Sequence, residues 1–368
     1  VRFHLTIRLP HYGDRMGKVT LQDVAVHAGV SMKTVSNVVR GYQHVSPPMR
    51  DRVQAAIDEL GYRPNVSGRS LATGRSNMLA FAFPDLRRPY FAELAHVFSR
   101  VCAQRGYQLL LEETLGEADG ERSAVRGREA GVVDGVVIHP QVLTPEAIDR
   151  IRGDTAVVFL GEDVRPQYSD QVVIDNAAAA AQAVAHLVAL GRRRIGFFGH
   201  ETGPESSTSG LRLDGYRAGL AAAGLPVDDA LLVPREVGDA AGAETAFGRA
   251  LDAGLRVDAL LCRDDLAALG VLRAMRLRGL DAPRDIAVVG WDAMGLGSSL
   301  VPSLTSVAPD TVALADTALD LLLERMDGSE VPGRLVTVGH RLLVGESAPF
   351  PDGSVDRGPV PGQGRVSA

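Results

Sequence analysis

The run Ser31-Met32-Lys33-Thr34-Val35-Ser36-Asn37 holds residue types that can read a nucleic acid. Val35, Val38 and Val39 mark one side of a helix that Ser31 can cap, leaving Met32, Lys33, Thr34, Ser36 and Asn37 on the other. An ammonium and a carboxamide can hydrogen-bond base edges, and hydroxyls near a helix N-terminus suit phosphate oxygens. Such a face works only if its neighbours leave it free to enter a major groove.

The flanking sequence supplies those neighbours. Thr20 can cap a preceding helix, with Asp23 three residues on and Leu21, Val24, Ala25 and Ala28 at i, i+3, i+4 and i+7. Gly29 sits where that helix must stop and turn. A following helix has Ser46 as its cap, Pro47 in its first position, an inner stripe of Val53, Ala56, Ile57 and Leu60, and Gly61 at its end. The spacing alone also fits a helical bundle with no nucleic-acid role. Charge separates the two readings: residues 17–76 carry eight Lys/Arg against four Asp/Glu, a net +4 in a chain of net −6. Residues 1–16 add +2, which leaves −12 on residues 77–368. A basic head on an acidic body keeps phosphate contact local.

Beyond residue 76, apolar runs at 78–83, 107–111, 135–138, 156–160, 172–174, 195–199, 259–262 and 286–289 alternate with helical stretches at 91–105, 176–190, 211–223, 240–253 and 266–278. Short buried strands alternating with helices predict parallel sheets covered on both faces. The length, roughly 290 residues, exceeds one ordinary core and predicts two α/β lobes. Ligands in such sheets sit beyond the carboxyl ends of the strands.

The segments VTLQDVAVHAGVSMKTVSNVV, VSPPMRDRVQAAIDELGYRPN and SLATGRS resemble the lactose/galactose repressor family of bacterial transcription regulators, and the match continues with gaps to about residue 347. The resemblance implies an all-α helix-turn-helix head, a hinge helix, and a two-lobed α/β domain of the type I periplasmic-binding-protein fold. It implies a homodimer on near-palindromic double-stranded operator DNA, controlled by a small-molecule effector and most often acting as a repressor. In those terms residues 31–40 form the recognition helix, Met32 and Lys33 read bases, and Thr34 and Ser36 hold phosphates. Thr20, Ser31, Asn37, Tyr42, Asn65 and Ala72 complete the DNA contacts, and Leu71 matches the leucine that pries open a central base step. The implied organisation is an extension at 1–16, disordered or not translated since Met16 resembles a family start, then a head at 17–63 and a hinge and linker at 64–76. An effector-binding and dimerisation domain at 77–347 and a disordered Pro/Gly-rich tail at 348–368 follow. Three crossovers between lobes are expected near Asp175, Val307 and Val338. One departure bears on operator choice: Asn37 stands where the family usually has Arg. Arg favours guanine, whereas Asn can pair with adenine through N6 and N7 or simply face a phosphate.

Effector residues carry over one by one. Pro84 to Phe91 resembles the family's PDxxNPFF loop, with Asp85 matching, Arg88 replacing the usual Asn, and the aromatics Tyr90 and Phe91 able to stack on a ring. Arg212 matches an effector-binding arginine, and Asp292, after Trp291, matches an aspartate that accepts hydrogen bonds from ligand hydroxyls. Arg263 stands where sugar-binding members often have Asn, Pro309 replaces a polar contact, and His139 ends a strand where it can face the cleft. Three guanidiniums at one cleft suit a carboxylate or phosphate, so a sugar acid or sugar phosphate is one expectation. The other is that one or two of Arg88, Arg212 and Arg263 pair with Glu162, Asp264 or Asp292 and merely brace the lobes.

Other chemistry is sparse. The sequence has no GxGxxG after the first strand, no P-loop and no Cys/His spacing for zinc, so no catalytic group, metal or cofactor is expected. Cys102 and Cys262 sit in apolar runs and read as buried thiols in a reducing cytoplasm. No segment suits a signal peptide or membrane span. The rivals from other classes are a solute-binding protein and an α/β enzyme with an incidental helical head.

Overall fold

The computed structural model describes residues 19–39, 42, 44–63, 75–127, 131–161, 168–200, 207–234 and 238–356. Two compact units divide at Ser76/Asn77 and are taken in turn.

In the head, α1 (Leu21–Ala28), α2 (Met32–Val39) and α3 (Pro47–Leu60) enclose one core of Val24, Ala25, Ala28, Val35, Val38, Val53, Ala56 and Tyr62. Local chemistry fixes the helix ends. The Asp23 amide donates to Thr20 Oγ1 at 3.3 Å while the Thr20 amide donates to Asp23 Oδ2 at 2.8 Å, a reciprocal cap. Gly29 at φ 63° ends α1 in a left-handed turn that a side chain would oppose. The Thr34 amide donates to Ser31 Oγ at 3.1 Å, starting α2. Ser46 differs from expectation: its side chain makes no capping hydrogen bond, and Pro47 starts α3 by its fixed backbone angle. His27 Nε2 meets Glu59 Oε2 at 2.7 Å and ties α1 to α3.

Two six-stranded sheets build the body. The first contains β1 (Met78–Phe83), β2 (Gln108–Glu113), β3 (Gly135–Ile138), β4 (Ala156–Leu160), β5 (Asp170–Ile174) and β11 (Leu335–Val338), in the order β11-β5-β4-β3-β1-β2. The second contains β6 (Ile195–His200), β7 (Leu232–Pro234), β8 (Ala259–Cys262), β9 (Ala287–Trp291), β10 (Thr305–Pro309) and β12 (His340–Leu343), in the order β12-β10-β9-β8-β6-β7. Among the described residues every strand pairing is parallel except β10 with β12. Helices α4 (Pro89–Gln104), α5 (Ala118–Val125), α6 (Pro145–Ile151) and α11 (Thr311–Met326) serve the first lobe. Helices α7 (Asn176–Ala189), α8 (Ser207–Ala222), α9 (Ala240–Asp252) and α10 (Asp265–Arg276) serve the second. Strands β7, β10, β11 and β12 and helices α5, α6 and α11 were outside the expected set.

The chain crosses between lobes three times, at Asp175, Asp310 and Gly339. Asp175 and Asp310 do the same work. Their backbones lie at φ −78°, ψ 85° and φ −76°, ψ 81°, and each carboxylate caps the helix that follows. The β11 crossing strand is anchored by Asp170, whose buried carboxylate pairs with Arg325 and Arg334. Ala348, expected to begin a disordered tail, instead closes the core, and residues 349–356 follow it mostly exposed. Ala348 is fully buried and its carbonyl accepts from Thr305 Oγ1 and from the His186 ring. Among the described residues no helix is long and apolar enough to cross a membrane.

Candidate effector cleft and nucleic-acid interface

Strand ends and helix starts of both lobes converge on the residues expected to bind an effector. On the first lobe, β1 runs into the turn that carries Asp85, Arg88 and the start of α4. Asp85 is taken up by Arg87, whose guanidinium donates to both carboxylate oxygens at 2.9 and 3.0 Å and holds the acid below its ordinary pKa. Phe91 is buried, stacked on Phe83 and edge-on to His139 with ring centroids 5.2 Å apart. Tyr90 meets Phe91 edge-on. His139 follows β3 and fits because Gly161 has no side chain; a Cβ there would lie 3.1 Å from the imidazole.

A residue without a sequence signal positions that loop. Glu121 in α5 is fully buried, and its carboxylate accepts from the backbone amides of Gln141, Val142 and Leu143. Gln141 in turn places its amide nitrogen 3.2 Å from His139 Nδ1. A buried carboxylate is tolerated there because backbone donors replace its water.

The second lobe holds Arg212, Arg263, Asp264, Trp291 and Asp292. Arg212 leaves α8 and donates from Nε to Asn176 Oδ1 at 2.8 Å and from Nη1 to the Arg263 carbonyl. Its guanidinium carbon lies 4.0 Å from the centroid of the Trp291 ring. Trp291 is fully buried, so it serves as the platform under Arg212 and presents no surface of its own. Asp292 Oδ1 stands 4.0 Å from Arg212 Nη2. Asp264 receives both Arg88, from the other lobe, and Arg263. All three arginines therefore meet aspartates, where the second expectation had one or two of them paired. Among the described residues, these three guanidiniums meet the carboxylates of Asp264 and Asp292.

Asp292 is held in an uncommon backbone shape. It lies at φ 94° and Ala293 at φ 51°, a left-handed pair that ordinary side chains resist. Buried hydrogen bonds compensate: Ala293 N donates to Ser306 Oγ at 3.0 Å, Met294 N to Asp265 Oδ2 at 2.7 Å, and Ser306 Oγ to Asp265 Oδ1 at 2.7 Å. Gly290 makes room for this, since a Cβ would fall 2.1 Å from Asp265 Oδ1. Burial pushes Asp265 well above the usual carboxylate range, toward its neutral form. Nothing local in the sequence marks Asp265, Ser306 and Gly290 as one unit.

Burial also raises Asp292, to about 6, against the opposing pull of Arg212. A carboxyl whose folded pKa is raised favours folding below its unfolded value near 3.8 and loses that contribution as pH rises through about 6. Wild type is therefore expected to gain about 1 kcal/mol of stability at about pH 5 relative to about pH 7.5 from this group, and Asp292→Asn to lose the gain. Urea titrations of both proteins at the two pH values measure it; parallel pH profiles would refute the assignment.

In the head, Met32 and Lys33 are exposed at the start of α2, and Ser36 and Asn37 are half-buried along it. Ser31 Oγ and Thr34 Oγ1 lie 2.9 Å apart, and Thr20 is engaged in the α1 cap. Tyr42 exposes its ring while Arg50 donates to its carbonyl at 2.9 Å, tying Tyr42 to α3. Asn65, Leu71 and Ala72, with the expected hinge, lie outside the described residues, as do Glu162 and residues 1–16.

Comparison with known proteins fits both halves. Residues 20–65 match the model for bacterial regulatory proteins of the lacI family, and residues 184–348 match a periplasmic binding protein-like domain. The regulator CelR of Thermobifida fusca is 34% identical across 91% of this chain and 99% of its own. The chain belongs to the lacI family of bacterial regulatory proteins. Its fold is that of a lac repressor dimer bound to operator and the anti-inducer ONPF, matched at TM-score 0.78 and 28% identity over 90% of this chain and 99% of that one. A CelR–cellobiose complex matches at TM-score 0.65 and 30% identity over 89% and 99%. This family member is thus a helix-turn-helix transcription regulator with a ligand-responsive two-lobed body. Among the described residues no group of three or more His, Cys, Asp or Glu could hold a metal ion.

Proposed function

We propose that two copies of this chain, in the cytoplasm, repress transcription from a near-palindromic operator and respond to a small sugar-like effector bearing one acidic group. The observation that carries the effector class is the convergence of three arginines on the cleft. Arg88, Arg212 and Arg263 face the ionisable carboxylates Asp264 and Asp292, with Asp265 driven toward neutrality by burial. Guanidiniums from both lobes converge there, and their planar donor forks suit a carboxylate or phosphate. Calorimetry with neutral sugars, sugar acids, sugar phosphates and purines tests this, and tight binding of a neutral sugar alone would end it. Gel shifts at several salt concentrations, with and without each ligand, test the regulatory reading; no specific shift at any salt would count against it.

The dimer contact is proposed on the outer face of the second lobe. Leu269, Leu272, Leu300, Val301 and Pro302 form an apolar groove rimmed by Glu244, Arg273 and Arg276. An apolar centre with a charged rim is the composition of a protein contact. A second copy is its proposed occupant, a reading supported by the dimeric state of a lac repressor of this fold on its operator.

Operator preference is proposed to depend on Asn37. Sites selected from random DNA by Asn37→Arg are expected to exchange adenine for guanine at one step of each half-site, a discrimination of about 1–3 kcal/mol. Identical preferred sites for the two proteins would place Asn37 on the backbone instead.

A further inference from the structure

Arg88 and Asp264 are 176 residues apart and belong to different lobes, yet Arg88 Nη2 donates to Asp264 Oδ2 at 2.9 Å. Both side chains are largely buried, at 27% and 8% exposure. The same oxygen lies 3.4 Å from Arg263 Nη1, while Oδ1 accepts from the Ala267 amide at 2.8 Å and caps α10. One further hydrogen bond crosses the cleft nearby, from the Gly295 amide to Glu93 Oε1 at 2.8 Å. A carboxylate opposite a guanidinium is also how an acidic ligand would meet Arg88.

We propose that Asp264 is a tethered substitute for the effector's acid, holding Arg88 across the cleft until a carboxylate or phosphate takes Arg88 over. This rests on the anionic reading of the cleft and names the residue pair that enforces it. The exchange is feasible because Asp264 is not stranded when Arg88 leaves. Arg263 stays beside it, and the N-terminus of α10 continues to donate to it. An internal competitor lowers apparent affinity by the fraction of time it occupies Arg88. It also biases the cleft toward ligands that offer a strong acceptor, since a neutral hydroxyl competes poorly with a carboxylate. Because Arg88 and Asp264 each stand at a helix start in opposite lobes, their release also removes a closing contact.

Asp264→Asn in the full chain tests this, because an amide oxygen still caps α10 while its hold on Arg88 weakens. With inorganic phosphate and gluconate as calorimetric probes, Asp264→Asn is expected to bind each about tenfold more tightly than wild type. The gain should vanish in the Arg88→Asn/Asp264→Asn double variant. Arg88→Asn alone is compatible with folding, since Asn is a favoured residue at a helix start. A gain that persists in the double variant would show a general field effect and overturn the proposal. So would no gain, or no anion binding, in Asp264→Asn. As a second readout, ligand-free lobe separation measured between spin labels should widen equally in Asp264→Asn and Arg88→Asn; no widening in either overturns the closing role. Operator binding by wild type in the same preparations separates failure of the proposal from failure of the regulatory reading.

Discussion

Val301→Asp is expected to turn the protein into a monomer and weaken operator binding by about 10²- to 10⁴-fold, the usual gain from linking two binding modules. Val301 is 96% exposed between Leu300 and Pro302, an arrangement that burial within one chain does not explain. Leu269 and Leu272 of α10 extend the apolar surface beside it. A carboxylate here loses nothing in the isolated protomer, which should fold with unchanged stability. In a dimer it would be desolvated in an apolar centre without a partner, at a cost of several kcal/mol. Each head alone has only a small reading face, so affinity depends on two heads held at fixed spacing. Sedimentation measures the assembly and gel shift the affinity. A Val301→Asp protein that stays dimeric and binds operator normally would move the contact to another face.

Asp170→Asn is expected to destabilise the body by about 3–5 kcal/mol, the usual cost of leaving a buried charge without its partner. The Asp170 side chain is fully buried and Arg325 is 8% exposed, so neither can be rescued by water. Five donors meet the carboxylate: Arg325 Nε and Nη2 at 2.8 and 3.0 Å, Arg334 Nε and Nη2 at 3.0 and 3.1 Å, and the Arg334 amide at 2.9 Å. Burial alone would raise this acid, but the hydrogen bonds from Arg325 and Arg334 outweigh it and bring the pKa down to about 2. With the folded pKa depressed, the stabilisation is present above the unfolded value near 3.8 and lost as pH falls through about 2. The loss is about 2 kcal/mol. The pair also matters mechanically, because Arg334 leads into β11, the first-lobe strand from which the chain makes its last crossing. Urea unfolding near neutral pH checks the figure, and a loss below about 1 kcal/mol would mean the arginines find other partners.

The fate of the cleft arginines shows where reading residues in order stops working. Arg88, Arg212 and Arg263 were visible as post-strand residues or family matches, and all three meet in the structure. Their partners were only alternatives, because a guanidinium that binds a ligand and one that binds an aspartate have the same local sequence. Asp265, Ser306 and Gly290 went unnoticed for a related reason: their common purpose is the left-handed turn at Asp292, and they come from three separate elements. Strand β10 escaped notice because Thr305, Ser306 and Pro309 break its apolar run, although all five of its residues are buried. Residues 348–356 read as a Pro/Gly-rich tail, but hydrogen bonds to Thr305 hold Ala348 in the core.

By itself the sequence determined the head. Its helix starts and stops depend on contacts within about one turn, such as Thr20 with Asp23 and the left-handed Gly29, and these are written in adjacent residues. It also determined the alternation of strand and helix in the body, since periodicity is local. Only the tertiary structure decided what each charged group is paired with. Arg88 and Asp264 meet because two sheets, threaded by three crossings, bring their carboxyl ends face to face. A charge taken out of water must find a partner wherever the fold places one, and sequence distance does not enter that requirement.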